Sequence, residues 1–366
     1  MDSRVRNLAK ILVHYSLKIK PGQLFKIAAE PVAEPLVKAV YEEALAAGAY
    51  PYVEISLIDL KEMFYKKAND AQLKYISPIR EFEIEKIDAY LYIWGSTNTK
   101  YLSGIDPSRQ QLNNKAGRKW MDRYIARIGD GSLHWCGTQF PTPAHAQDAE
   151  MSITEYENFV YRAGHVDEAD PVAYWQKVEK EQDRLIKILD QVEIIHLLTD
   201  QTDLTLNVKG RKWINCCGQK NFPDGEIFTS PIENSANGTI RFNFPAFLTG
   251  REVSGVQLTF KNGEVVKAGA EKDEDYLIKM LDTDEGSRRI GEFAIGTNYE
   301  ITQFTKNTLF DEKIGGTCHM AVGAGLPEAG GRNKSGIHWD MVRDLKKGGE
   351  IIADGKLIYK DGIFII

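Results

Sequence analysis

Apolar residues recur at helical spacing from Val5 to Leu17, with Leu8, Ile11, Leu12 and Tyr15 on one face, until Pro21-Gly22 breaks the run. Leu24 to Ala28 then reads as a strand. Glu34 to Ala47 is an amphipathic helix that places Leu36, Val37, Val40, Tyr41 and Ala44 together, with Gly48 as its stop. Tyr52 to Ile55 is the next strand, and strand-helix-strand in this order predicts a parallel sheet. A polar helix around Leu73 to Ile84 leads to another strand, Ala89 to Trp94. A long helix is expected from Pro171 to Leu189, with Trp175, Val178, Leu185 and Leu189 among its apolar positions.

Beyond that helix the pattern changes. Val192–Leu198, Leu204–Val208, Val256–Phe260 and Leu357–Tyr359 have strand character. Asn262-Gly263 and Asp361-Gly362 are hairpin-type turns. The expected fold is therefore α/β: an N-terminal α/β domain with a mostly parallel sheet (residues 1–188), then a C-terminal α+β domain (189–366).

At 366 residues, 43% hydrophobic and 27% charged, the chain has room for a sizeable core and the composition of a water-soluble protein. A formal charge of -6 argues against a general nucleic-acid binder. No run of eighteen or more apolar residues predicts a membrane span, and the polar start lacks a secretory core. Cys136, Cys216, Cys217 and Cys318 have no zinc-finger spacing and are expected as reduced thiols, which points to the cytoplasm. No glycine-rich dinucleotide fingerprint and no phosphate-loop lysine motif follows a strand.

The chemistry concentrates near the end. His319, His338 and Asp340 flank a segment that carries Gly323, Gly325, Gly330 and Gly331. On a strand, His338 and Asp340 point to one face and Trp339 to the other. Imidazole plus carboxylate is the ligand set of zinc, cobalt, manganese and non-haem iron. Glu226, after a Pro-Asp-Gly turn, and Glu292, between a glycine and apolar residues, are further candidates, although each can be read as an ordinary turn or edge carboxylate. Two histidines and three carboxylates exceed the needs of one structural zinc and suit two divalent ions sharing a bridging carboxylate.

Ordered motifs along the whole chain resemble the aminopeptidase T / aminopeptidase S family of thermophilic-type metalloaminopeptidases. They include Lys20-Pro-Gly-Gln23, Glu34-Pro-Leu-Val-Lys38, Pro141-Thr-Pro-Ala-His145, Tyr156-Glu-Asn-Phe-Val-Tyr161, Asp224-Gly-Glu226, Ile290-Gly-Glu292, Thr317-Cys-His319 and Ser335-Gly-Ile-His-Trp-Asp340. The resemblance implies a dinuclear site of zinc, cobalt or manganese on Glu226, Glu292, His319, His338 and Asp340, a peptide substrate with a free N-terminus, and a homodimer. The chain departs from the family pattern at Leu326, where relatives carry a tyrosine that could donate to an oxyanion. Glu328, two residues on, is the candidate general base or amine anchor. Ring-cleaving dioxygenases of the dihydroxypyridine type resemble the same family, so a mononuclear iron site on His319, His338 and Asp340 is the alternative.

Overall fold

The computed structural model describes residues 2–248 and 250–366. The chain forms two compact units: residues up to Val172 together with Gly218–Pro223, and Ala173–Cys217 together with Asp224–Ile366.

In the first unit, β1 (Leu24–Ala29), β2 (Tyr50–Ile55), β3 (Ala89–Trp94) and β4 (His134–Gln139) form a parallel sheet in the order β2-β1-β3-β4, with the two-residue strand Asn221–Phe222 added beside β4. β1 is almost wholly buried, as expected of a parallel strand near the middle of a sheet. Its one charged residue, Lys26, is tolerated because Glu54 and Glu83 accept from its ammonium at 2.7 and 2.6 Å. Helix Glu34–Ala46 makes the β1–β2 crossover and buries Leu36, Val37 and Val40.

Two segments differ from the pattern read along the sequence. The first helix is α-helical only over Ser3–Lys10 and widens to a π-helical turn over Ile11–Ser16. The expected helix around Leu73 to Ile84 is two helices, Asp70–Lys74 and Pro78–Lys86. Pro78 cannot continue a preceding helix, and Ser77 caps the next one by accepting from the Ile79 amide.

The second unit holds an eight-stranded antiparallel sheet that includes Ile194–Thr199, Thr202–Asn207, Gln257–Lys261 and Lys356–Lys360. A second antiparallel sheet is built from β5 (Ile214–Cys216), β6 (Glu226–Thr229), β7 (Ile290–Gly296), β8 (Thr317–Gly323) and β9 (His338–Asp344), in the order β9-β8-β7-β6-β5. Its two faces differ. Phe293, Met320, Trp339 and Met341 pack into the main core of the unit. The opposite face carries the polar candidates, and period-two alternation along each strand keeps the faces apart. Among the described residues no helix is long and apolar enough to cross a membrane.

Candidate metal centre

Register assembles the site. Asp340 on β9 and Glu292 on β7 both sit opposite Ala321 of β8. His319 lies opposite Ala294 on one side and Val342 on the other. Glu226 opens β6 opposite Gly296. Cross-strand partners share a face, so five carboxylate and imidazole side chains converge on one patch of sheet. A register shift at Gly291 separates Ile290 from Glu292, and bulges of this kind re-aim the next side chain. A Cβ at Gly291 would lie 2.1 Å from the Ala324 carbonyl oxygen, so only glycine fits there. Gly225, with φ +127°, makes the turn into Glu226; a Cβ there would meet Asn298 at 2.7 Å.

Ligand atoms gather in two adjoining groups, Glu226 with Glu312 and His319, and Glu292 with His338 and Asp340; within each group they lie within 4.8 Å of one another. Glu292 spans the groups: its Oε1 is 3.8 Å from His319 Nε2 and its Oε2 is 3.1 Å from His338 Nε2. His338 is oriented by its other nitrogen, with Nδ1 2.8 Å from the Ala324 carbonyl oxygen, as metal-binding histidines commonly are. Asp224 and Cys216 adjoin Glu226 in a third grouping.

Two participants carry no signal in the sequence pattern. Glu312 and Lys313 follow the short helix Thr308–Asp311 and read as a solvated charge pair. Instead the Lys313 side chain is only 3% exposed, and its Nζ donates to Glu226 Oε1 at 2.7 Å and to Glu312 Oε2 at 3.0 Å. Asp311 fixes this loop by accepting from the Thr305 amide and hydroxyl and from the Asn307 amide, at 2.6, 2.9 and 2.8 Å.

The electrostatics are those of a site built for cations. Burial works against charge on His338, but the Asp340 carboxylate 3.5 Å away and the Glu292 carboxylate bonded at 3.1 Å outweigh it and push the imidazole up to about 11. His319 is pushed up to about 9 by the same contest, with Glu292 and Glu226 as the winning partners. Burial pushes Glu312 up to about 8 against the pull of Lys313. Asp340 moves the other way, well below the usual carboxylate range, because the pull of the neighbouring His338 imidazole overcomes burial.

The donors fit divalent ions. Glu226 Oε2 and Asp340 Oδ1 are buried without a hydrogen-bond partner, each with an imidazole nitrogen 3.5 Å away, and His319 Nδ1 also lacks one. Buried anionic oxygens left this way are costly unless a cation serves them.

A cavity of about 250 Å³ opens beside the second group, lined by Glu312, His338 and Asp340 together with Phe247, Phe304 and Val342. Leu326 is not among its lining residues. It is partly buried against Phe228, Ala294 and Ala329, while its amide donates to Ser230 Oγ at 2.9 Å. Phe228 and Ala294 lie two residues beyond Glu226 and Glu292, so Leu326 packs on the ligand-bearing face. Glu328 is exposed in the turn Pro327–Ala329 and stands outside the three ligand groupings. Cys318 is fully buried and burial pushes its thiol up to about 12, so it serves as packing rather than as a nucleophile.

The family model described as thermophilic metalloprotease (M29) matches residues 1–364. The chain belongs to the M29 family. Membership makes it a metal-dependent hydrolase. Its relatives include "Aminopeptidase 2" of Geobacillus stearothermophilus, 28% identical over 352 residues (89% of this chain and 84% of the relative), and "Aminopeptidase AmpS" of Bacillus subtilis, 26% identical over 99% of both chains. The fold is shared with AmpT from Thermus thermophilus, at TM-score 0.88, 24% identity and 99% coverage of both. It is shared more distantly with 2,5-dihydroxypyridine dioxygenase from Pseudomonas putida, at TM-score 0.59, 14% identity and coverage of 100% and 98%.

Proposed function

We propose that the protein is a two-metal aminopeptidase that removes the N-terminal residue of peptides. The observation that carries this reading is the pair of adjoining ligand groups spanned by Glu292. Glu226, Glu312 and His319 would hold one divalent ion, and Glu292, His338 and Asp340 the other, with Glu292 between them. Such ions supply Lewis acidity and lower the pKa of water, which is the chemistry that amide hydrolysis needs. A mononuclear iron site would have no use for the group around Glu226, so the dioxygenase reading is the weaker one.

The chain's own residues then have distinct tasks. With both imidazoles neutral and the carboxylates ionised, as ligation requires, Asp224, Glu226, Glu292, Glu312 and Asp340 set against Lys313 leave four net negative charges, equal to the charge of two divalent cations. Lys313 positions Glu226 and Glu312 through its two hydrogen bonds. Glu312 lines the cavity as well as adjoining Glu226 and His319, so it would hold its ion at the cavity wall. Glu328 is exposed and does not line the cavity. Phe247, Phe304 and Val342 offer an apolar wall to the first side chain of the substrate, so leucine-like and aromatic N-termini should be preferred. The ions' native identity within zinc, cobalt and manganese follows from availability as much as from these ligands.

The test is hydrolysis of leucine p-nitroanilide and its N-acetylated form by protein stripped of metal and reloaded with cobalt or zinc. Activity should require metal and a free amine. Cleavage of the acetylated substrate, or full activity without metal, would reject the reading.

A further inference from the structure

The first unit carries a second built pocket. Its sheet order β2-β1-β3-β4 reverses direction between β1 and β3. In open α/β sheets, ligands bind in the crevice at the carboxyl ends of the strands flanking such a reversal. Glu30 immediately follows β1, and Gly95 immediately follows β3. Both residues therefore stand at the mouth of that crevice. Glu30 is nonetheless 9% exposed, and its Oε2 is buried with no hydrogen-bond partner. It does not cap the helical turn that follows it.

Glu30 borders a cavity of about 300 Å³, lined also by Leu57, Leu60, Lys61, Tyr92 and Tyr101. Burial raises both tyrosines, Tyr92 to about 12, and the Glu30 charge raises them further; both line the same cavity as Glu30. Burial raises the Glu30 carboxyl and Lys61 opposes that rise, yet the two form no ion pair among the described residues. A buried carboxylate beside aromatic rings is a receptor for an ammonium group. A lysine held apart from it across a small space can meet a carboxylate. The volume lies at the lower end for small-molecule sites, about 300–1,000 Å³.

We propose that this pocket binds a free α-amino acid, its ammonium on Glu30 and the tyrosines, its carboxylate on Lys61 and its side chain against Leu57 and Leu60. The site lies in the first unit, and all its residues are separate from the metal ligands. It stands or falls independently of the peptidase reading.

Calorimetric titration of the full chain with L-leucine tests this. Saturable binding is expected, weakened about tenfold or more in Glu30→Gln and in Lys61→Ala and unchanged in His338→Ala. N-acetyl-L-leucine, which lacks the ammonium, should not bind. Isopentylamine, which lacks the carboxylate, should bind equally to the parent protein and to Lys61→Ala. Thermal melts establish that Glu30→Gln is folded; should it not be, Lys61→Ala at its exposed position decides alone. No binding up to about 10 mM, undiminished binding in the folded Glu30→Gln or in Lys61→Ala, or loss of binding in His338→Ala would overturn the proposal.

Discussion

Lys313→Met removes one charge from the centre of the site and little else. The methionine retains an apolar stem of similar length, so the expected effect is electrostatic. In the parent protein the ammonium, 3% exposed, bonds Glu226, 6% exposed, and Glu312, 16% exposed. Removing one partner from a buried ionic group typically costs about 3–5 kcal/mol, because the remaining charge is left in a poor dielectric. Metal-free Lys313→Met should therefore be destabilised by about that amount near pH 8. The deficit has a definite pH dependence. Without the lysine, Glu312, already raised by burial, should have a folded-state value still further above its unfolded one. Such groups weaken the fold as pH rises through and beyond the unfolded carboxylate range, so the deficit should shrink toward pH 5 and grow toward pH 9. Divalent metal should restore part of the loss by neutralising the same carboxylates. The assay is urea denaturation of chelator-treated protein, with and without added cobalt, across that pH range. A loss below about 1 kcal/mol at pH 8, or a deficit that grows on acidification, would refute the reasoning.

Three further outcomes follow from the same geometry. His338→Ala and Asp340→Ala should each lose metal and activity while keeping the fold, since both side chains serve the ligand-bearing face whereas Trp339 between them serves the core; near-normal turnover at saturating metal in either variant would contradict the assignment. Metal binding should release protons, because His319, His338 and Glu312 hold theirs up to about 9, 11 and 8 in the metal-free site. Affinity should thus rise with pH between 6 and about 9, and titration calorimetry in buffers of different ionisation enthalpy would show no proton release if the site were already deprotonated. Leu326→Tyr should raise kcat about tenfold or more with little change in KM, as a phenol on the ligand-bearing face could donate to a developing oxyanion; a changed preference among aminoacyl substrates at constant kcat would contradict this.

Much of the architecture was legible in the amino-acid sequence because it rests on local periodicity. Ala89–Trp94 matches its strand end to end, and the helix Pro171–Leu189 spans the expected residues. The same-face placement of His338 and Asp340 follows from strand geometry, and the core position of Trp339 confirms the alternation. Glu312 and Lys313 were not legible. Their burial arises from long-range placement: the Asn298 amide donates to the Lys313 carbonyl at 3.0 Å, and Asp311 pins the loop. No periodicity marks an irregular segment held in that way. The break at Ser77-Pro78 was legible in principle, since a proline preceded by a capping serine is a helix start. Glu30 gave no signal either, because its role depends on strand order, which local pattern does not encode.

The central claim is that the second unit holds two divalent ions with Glu292 between them. Anomalous diffraction from crystals of the metal-loaded protein measures this directly. The account predicts two peaks about 3.5–4 Å apart, one among Glu226, Glu312 and His319 and the other among Glu292, His338 and Asp340. A single fully occupied ion at saturating metal, or peaks away from these residues, would contradict it.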